Sequence, residues 1–369
     1  MDYTAMDQYW IWLSGVEDIG PKRFYQLLTL YEDPRAVWDA LGASGAPKEM
    51  QFLGRTALRS LREARSEAYF YRLFDRLERS GIRAVTRLSE DYPGVLTTIY
   101  DPPPTLYVRG ECPLNGEKMF AVVGSRRSTR DGQRAAREIA EGLARADVTV
   151  VSGMARGIDS CAHEGAMAGQ GRTVAVLGCG VDVCYPPEND ELMARILDSG
   201  GAVVSEYVPG TPPLAGHFPQ RNRIISGLSR GTLLVEGAKK SGAMITVNCA
   251  LDQGRDVFAV PGSIYSPLSA TPNRMIVDGA IPVISPWEIL EYYRWASRPE
   301  TSDANPHQKP ALEPDALKIV EPLREQVLSF EELTQITGFS AAKLNSHLTM
   351  LELRGIIMKV PGGMYRAYL

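Results

Sequence analysis

Early in the chain, apolar residues recur three and four positions apart. QYWIWLSGV (8–16), RFYQLLTLY (23–31) and RAVWDAL (35–41) each carry one apolar face at helical spacing. RTALRSLREARSEAYFYRLFDRLERSG (55–81) does so at greater length, its arginines interleaved with acids as on a solvated face. Residues 1–81 are therefore predicted to form a helical module. From 82 to 295 the pattern changes to short runs: MFAVVG, VTVVSG, RTVAVLG, AVVSE, GTLLVEG, DVFAVPG and IPVIS. Each is apolar nearly throughout, as a strand covered on both faces must be. Most are followed by small residues and a helical stretch, which predicts a doubly wound parallel α/β sheet.

Residues 296–315 are polar, proline-rich and aperiodic, and read as a linker. From 316 to 369 three helical segments precede IIMKV and MYRAYL, which flank a PGG turn. Three helices and a hairpin make a winged-helix-like domain. No internal repeat stands out.

Composition adds bounds. Hydrophobic residues make up 44% and charged residues 23%, so each domain can bury a core. No apolar run approaches the roughly 20 residues that span a bilayer, and MDYTAMDQYWIWLSG has no basic region before an apolar one, so neither a membrane span nor a secretory leader is expected. The five cysteines (Cys112, Cys161, Cys179, Cys184 and Cys249) form no CxxC pair and suit a reducing cytoplasm. No metal site and no cofactor is expected.

Charge changes the picture more. The chain is acidic at a formal −4, yet residues 216–246 hold five Lys/Arg and one acid, Glu236. Basic residues also follow the predicted strands. After MFAVV comes GSRRSTR: Gly124 allows a tight turn, Ser125 supplies a hydroxyl, and Arg126, Arg127 and Arg130 crowd the start of a helix. Cations there oppose the helix dipole by about 0.3–1 kcal/mol each, and a bound anion would relieve them.

After VTVV, Ser152 and Gly153 form a turn, Arg156 lies in the loop and Asp159 reads as a helix N-cap. His163 and Glu164 lack an accompanying nucleophile or metal set and read as structural. After GTLLV, Lys239 and Lys240 precede Ser241 and Gly242 at a helix start, and QRNR upstream adds Arg221, Asn222 and Arg223. QRNR and AKKSG are read as two strand-end loops. After DVFAV come Gly262, Ser263, Ser269 and Asn273.

In a parallel sheet these loops share one edge, where ligands collect. So many donors suit a run of phosphates better than one. The GCG after RTVAVL lacks the third glycine of a dinucleotide fingerprint. The turn in VEDIGPKRF is flanked by Glu17 and Asp18, and Pro21 has no N–H to offer, so packing is its expected role.

At these residues the chain resembles a known family. DYPGVLTTIYDPPPTLYVRG, VGSRRST, SGMARGIDSCAHEGAM, AVLGCGVDVCYPPEN, SEYVPGTPP, HFPQRNRIISGLS, VEGAKKSGAMIT, VFAVPGSIYSPLS and DGAIPV run in order from 91 to 283. They are similar to the DprA family, also called Smf, the DNA-processing protein A of bacterial natural transformation. The helical SAM/HhH-like N-terminus and winged-helix-like C-terminus fit its larger members. The resemblance implies an extended Rossmann-like core that binds single-stranded DNA. It further implies protection of incoming strands, help in loading the RecA recombinase, a homodimer formed through the core, and no catalytic turnover.

The family's phosphate-binding arginine falls on Arg126 and its lysine on Lys240. Ser125, Asn222, Arg223, Ser241 and Gly242 take the matching pocket positions. SATPN departs from the family pattern: Thr271 replaces a glycine and Pro272 follows, which alters the expected backbone approach beside Asn273. Phe218 and Tyr265 are candidates to meet exposed bases.

Two other functions fit the sequence less well. A nucleotide phosphoribohydrolase of related fold carries a PGGxGTxxE loop, whereas PGSIYSPLSATPN has neither the GT nor the glutamate. A transcription regulator would read duplex DNA through SAAKLNSHLTMLELRG, where Lys343 stands with Asn345, Ser346, His347 and Thr349 but few other bases.

Overall fold

The computed structural model describes residues 3–42, 47–239, 241–298, 314–353, 356–360 and 363–367. The chain divides into two compact units, Met1–Ser297 and Arg298–Leu369.

The first unit is built on nine strands: β1 (Arg83–Thr86), β2 (Thr105–Gly110), β3 (Met119–Val123), β4 (Thr149–Ser152), β5 (Thr173–Val176), β6 (Ala202–Ser205), β7 (Gly231–Leu234), β8 (Asp256–Ala259) and β9 (Ile281–Pro282). Their order across the sheet is β1-β2-β6-β5-β4-β3-β7-β8-β9. Strands β3 to β9 are the seven apolar runs, and all pair in parallel. The two remaining strands correct the all-parallel expectation. β2 runs antiparallel to β6, and β1 antiparallel to β2. RAVT and TLYVRG are short, and the stretch between them is broken by prolines, so neither stood out as part of the βα rhythm.

Alternation along β3 shows why its run is continuous. Met119, Ala121 and Val123 face one side, with Ile224 and Ile225 of α9 (His217–Gly227) and Val247 of α10 (Ala243–Asp252). Phe120 and Val122 face the other, with Ile139 and Leu143 of α6 (Arg130–Arg145) and Ile158 of α7 (Ile158–Ala168). Helices α8 (Asp190–Asp198), α11 (Ala270–Val277) and α12 (Trp287–Tyr292) complete the layers.

The N-terminal helices are α1 (Ala5–Ser14), α2 (Pro21–Tyr31), α3 (Pro34–Ala40), α4 (Gly54–Ala64) and α5 (Glu67–Arg79). They own a core of Trp12, Leu13, Phe24, Leu27, Val37 and Leu61. They are also tied to the sheet. Trp10 Nε1 donates to the Pro104 carbonyl at 2.7 Å, Ser14 Oγ to Thr105 Oγ1 at 2.8 Å, and Thr86 Oγ1 to Asp7 Oδ1 at 2.7 Å.

The second unit contains α13 (Pro314–Glu325), α14 (Phe330–Thr337) and α15 (Ala341–Leu353), with strands β10 (Leu328–Ser329), β11 (Ile357–Val360) and β12 (Met364–Ala367) in the antiparallel order β10-β12-β11. Leu323, Leu333, Leu344, Leu348 and Tyr365 form its core. Residues 299–313 of the expected linker and 361–362 of the PGG turn lie outside the described residues. Among the described residues no helix is long and apolar enough to cross a membrane, and no group of residues is suited to hold a metal ion.

Helices α6 and α7 pack backbone to backbone through Gly165, where a Cβ would collide with the Arg137 carbonyl. We expect Gly165→Ala to lower unfolding stability by about 1–3 kcal/mol, the usual cost of overpacking, as read from urea denaturation.

Candidate nucleic-acid interface

The strand order reverses beside β3. The chain steps from β3 through β4 and β5 to β6 in one direction, then returns to β7 on the other side and steps on to β8 and β9. Loops leaving β3 and β7 therefore diverge, and a crevice opens beyond their carboxyl ends. Here it is a cleft of about 680 Å³, bordered by Gly124, Ser125, Arg126 and Arg127 on one side and Asn222, Ser241 and Gly242 on the other.

The first loop differs from expectation in one respect. Helix α6 begins at Arg130, so of the three arginines only Arg130 lies in its first turn. The anion at that helix start is internal. The buried Glu236 carboxylate accepts from Thr129 N at 2.9 Å and from Thr129 Oγ1 at 2.5 Å. Arg126 and Arg127 precede the helix and are exposed, and among the described residues neither forms an ion pair. The Arg126 guanidinium lies 5.7 Å over the Phe218 ring, whose other neighbour is Tyr185 at 5.1 Å. Such a cation–π contact is worth about 0.5–1 kcal/mol at an exposed site.

The second loop corrects two readings. The N-cap of α7 is Gly157, with φ +77°, and not Asp159. Asp159 lies inside the first turn, buried, where its Oδ2 accepts from Ala155 N at 3.3 Å. Burial pushes its carboxyl up to about 6, against the opposing pull of Arg221. Arg221 is buried too, and burial pushes its guanidinium down to about 10 although Asp159 works the other way. Arg221 Nη1 donates to the carbonyls of Gly153, at 2.7 Å, and Val176. It is a strut across the ends of β4 and β5. Ser152 is likewise internal, its Oγ donating to the Val122 carbonyl at 2.7 Å. Gly153 and Arg156 border a narrow crevice beside the cleft, and Arg156 pairs with Glu188. His163 bonds Thr173 Oγ1 at 2.7 Å, and burial pushes it down to about 3, so it is neutral in the folded protein.

QRNR is not a loop. Arg221, Asn222 and Arg223 lie within α9, where successive residues point about 100° apart. Asn222 faces the cleft, and its Nδ2 donates to the Gly242 carbonyl at 3.3 Å. Arg223 turns away into a largely buried ion pair with Glu206, a carboxyl pushed up by its own burial. The structure does not bring Arg223 to the cleft.

Gly242 is the N-cap of α10, with no side chain capping the helix. Ser241 Oγ is buried without a hydrogen-bond partner among the described residues. Of the helix starts around the cleft, α6 holds Glu236, the first N–H of α7 donates to the Ser125 carbonyl at 3.3 Å, and α9, like α10, has no side-chain cap. Lys239 is exposed, and Lys240 lies outside the described residues.

The loop after β8 contributes Leu268 to the cleft. Gly262, Ser263 and Asn273 stand apart, and Asn273 pins Gly262 through both its N–H, at 3.0 Å, and its carbonyl, at 2.9 Å. Thr271 and Pro272 are buried in the first turn of α11, where proline is tolerated. Phe218 is half-buried at the cleft, whereas Tyr265 is 89% exposed and does not line it. Arg221 as a strut, Glu236 as an internal anion, and Tyr185 are not evident from the sequence pattern alone. Glu236 was visible as the one acid in its stretch, and Tyr185 stood in the quoted CYPPEN.

With this geometry in hand, the comparisons become specific. Residues 83–294 match the family of DNA recombination-mediator protein A, and residues 303–363 match the DprA winged helix domain. Protein Smf of Escherichia coli is 41% identical over 295 residues, 79% of each chain. The structure of DNA processing protein A from Streptococcus pneumoniae superposes with a TM-score of 0.63 at 33% identity, covering 79% of this chain and 98% of that one. That of DNA processing protein A from Helicobacter pylori, which reports its single-stranded DNA binding mode, superposes with a TM-score of 0.52 at 25% identity, covering 58% and 95%. The chain belongs to the DNA recombination-mediator protein A family. It is a recombination mediator of a DNA-binding class.

Asp159 offers a pH test. Its folded pKa of about 6 exceeds the usual aspartate value of about 3.9. Between these values the folded state holds more protons than the unfolded one, so stability falls as pH rises. Asp159→Asn removes that slope. We expect urea unfolding to show the parent losing stability relative to the variant from about pH 4 to about pH 6.

Proposed function

We propose that the cleft grips the backbone of single-stranded DNA. Arg126 and Arg127 supply charge from one wall. Asn222, Ser241 and the N–H groups of Gly242 and Ala243, which have no hydrogen-bond partner among the described residues, supply donors from the other. One observation carries this reading. The start of α10 has no side-chain cap and lies beside the buried Ser241 hydroxyl, and it faces two arginines; among the described residues that hydroxyl has no hydrogen-bond partner and neither arginine forms an ion pair. Helix starts favour phosphate.

Lys240 joins this set on the strength of the sequence resemblance. Ser152 and Gly153 then hold the strand ends beneath the cleft, and Arg156, Arg223, Gly262, Ser263 and Asn273 have no direct part in the grip. Preference for single strands comes from the cleft's apolar lining, Phe218, Tyr185 and Ile245, which offers surface to unpaired bases. The Helicobacter pylori relative, with its single-stranded DNA binding mode, supports the choice of ligand.

In this reading the protein protects single strands, helps load RecA and works as a homodimer through the core. A cytoplasmic setting fits its five unbridged cysteines. Residues 1–81, 82–295 and 316–369 act as three functional parts, the last joined to the core by the linker at 296–315, with strand binding assigned to the core.

Arg126→Ala should weaken binding to oligo-dT about tenfold or more, on the order of 1.4 kcal/mol, in fluorescence anisotropy. Unchanged affinity in a folded variant would contradict the site. Removing residues 316–369 should leave strand affinity largely intact, whereas its complete loss would move the site out of the core.

A further inference from the structure

Glu236 is a buried acid behind the loop that carries Arg126 and Arg127, close to the cleft that the proposed function assigns to phosphates. A carboxylate there repels the ligand, and burying it costs solvation. Its contacts show what it does. The Glu236 carbonyl accepts from Ser125 N at 2.8 Å. Its carboxylate accepts from Thr129 N at 2.9 Å and Thr129 Oγ1 at 2.5 Å. Ser125 and Thr129 are the two ends of the loop that carries Arg126 and Arg127.

The neighbours are fitted to this arrangement. Thr129 Oγ1 also accepts from Gly132 N, at 3.0 Å, which couples the carboxylate to the first turn of α6. A Cβ at Gly132 would collide with both carboxylate oxygens of Glu236. A Cβ at Gly124 would collide with Ile158 and crowd the Glu236 carbonyl.

We infer that Glu236 is a positioning residue for DNA binding. By fastening both ends of the Ser125–Thr129 loop, it holds Arg126 and Arg127 at the mouth of the cleft. Its charge is answered by the start of α6, so phosphate is left to the arginines and to α10. The sign of a substitution separates this role from plain electrostatics. Charge alone predicts that removing an acid beside a phosphate site tightens binding. Positioning predicts that it weakens binding.

The inference rests on Arg126 and Arg127 touching the strand, so the test is a thermodynamic cycle. Oligo-dT affinity of the full chain is measured for the parent, Glu236→Gln, the pair Arg126→Ala/Arg127→Ala, and all three together, with thermal unfolding followed in parallel. Glu236→Gln should weaken binding by about fivefold or more in the parent and by less than about twofold in the arginine-deficient background. A purely structural role would cost the same in both. Gly132→Ala changes no charge yet displaces the same carboxylate, and it should weaken binding as Glu236→Gln does, which keeps the test open if the latter fails to fold. Unchanged or tighter binding in the folded single variants, or equal loss in both backgrounds, overturns the inference. Parent-like binding by the arginine pair overturns the reading beneath it, and the inference with it.

Discussion

Strands β3 and β7 lie side by side in parallel, Val122 opposite Leu233, yet the chain leaves them in opposite directions. Everything functional in the core depends on that reversal. Helix α6 departs from β3 on one face of the sheet, and α10 follows β7 on the other. Neither loop can cover the other's exit, so the sheet edge opens into a cleft between them. The apolar runs are what make the reversal rigid. Strands β3 and β7 are buried on both faces along their whole length, so the ends from which these loops leave are fixed by packing.

Around that opening the protein answers some of its polar groups from within and leaves others free. Glu236 occupies the start of α6, and Arg221 bridges β4 and β5 from beneath. Arg223 and Arg156, basic in the sequence, are paired with Glu206 and Glu188. Among the described residues a smaller set has neither an ion pair nor a hydrogen-bond partner for its facing group: the Arg126 and Arg127 guanidiniums on one wall, and the Ser241 hydroxyl and the N–H groups of Gly242 and Ala243 on the other. A groove built this way favours backbone phosphates and makes few demands on bases, which suits a recombination mediator that must accept any strand.

The sheet was legible because strands buried on both faces leave unbroken apolar runs, and all seven could be read. The antiparallel margin was not, because RAVT and TLYVRG are short and lie outside the strand–helix rhythm. The resemblance made the family legible from its motifs. The place of the cleft was legible, since Arg126, Ser241 and Gly242 follow strands and border it. Which residues are held by partners was less legible. A helix turns each residue by about 100°, so in QRNR a single step separates Asn222 at the cleft from Arg223 in a buried pair. Composition cannot tell a cation held by a distant acid from one left free, and Glu206 is 17 residues away in sequence from Arg223.

The account turns on a strand gripped mainly by its phosphates. The most direct measurement is the salt dependence of affinity for oligo-dT and for a duplex of equal length. Each phosphate neutralised on a single strand contributes a slope of about −0.7 in log K against log salt. The account predicts a slope of about −2 or steeper for the single strand, with the duplex bound more weakly at every salt concentration. A slope near zero, or a duplex bound as tightly as the single strand, would contradict it.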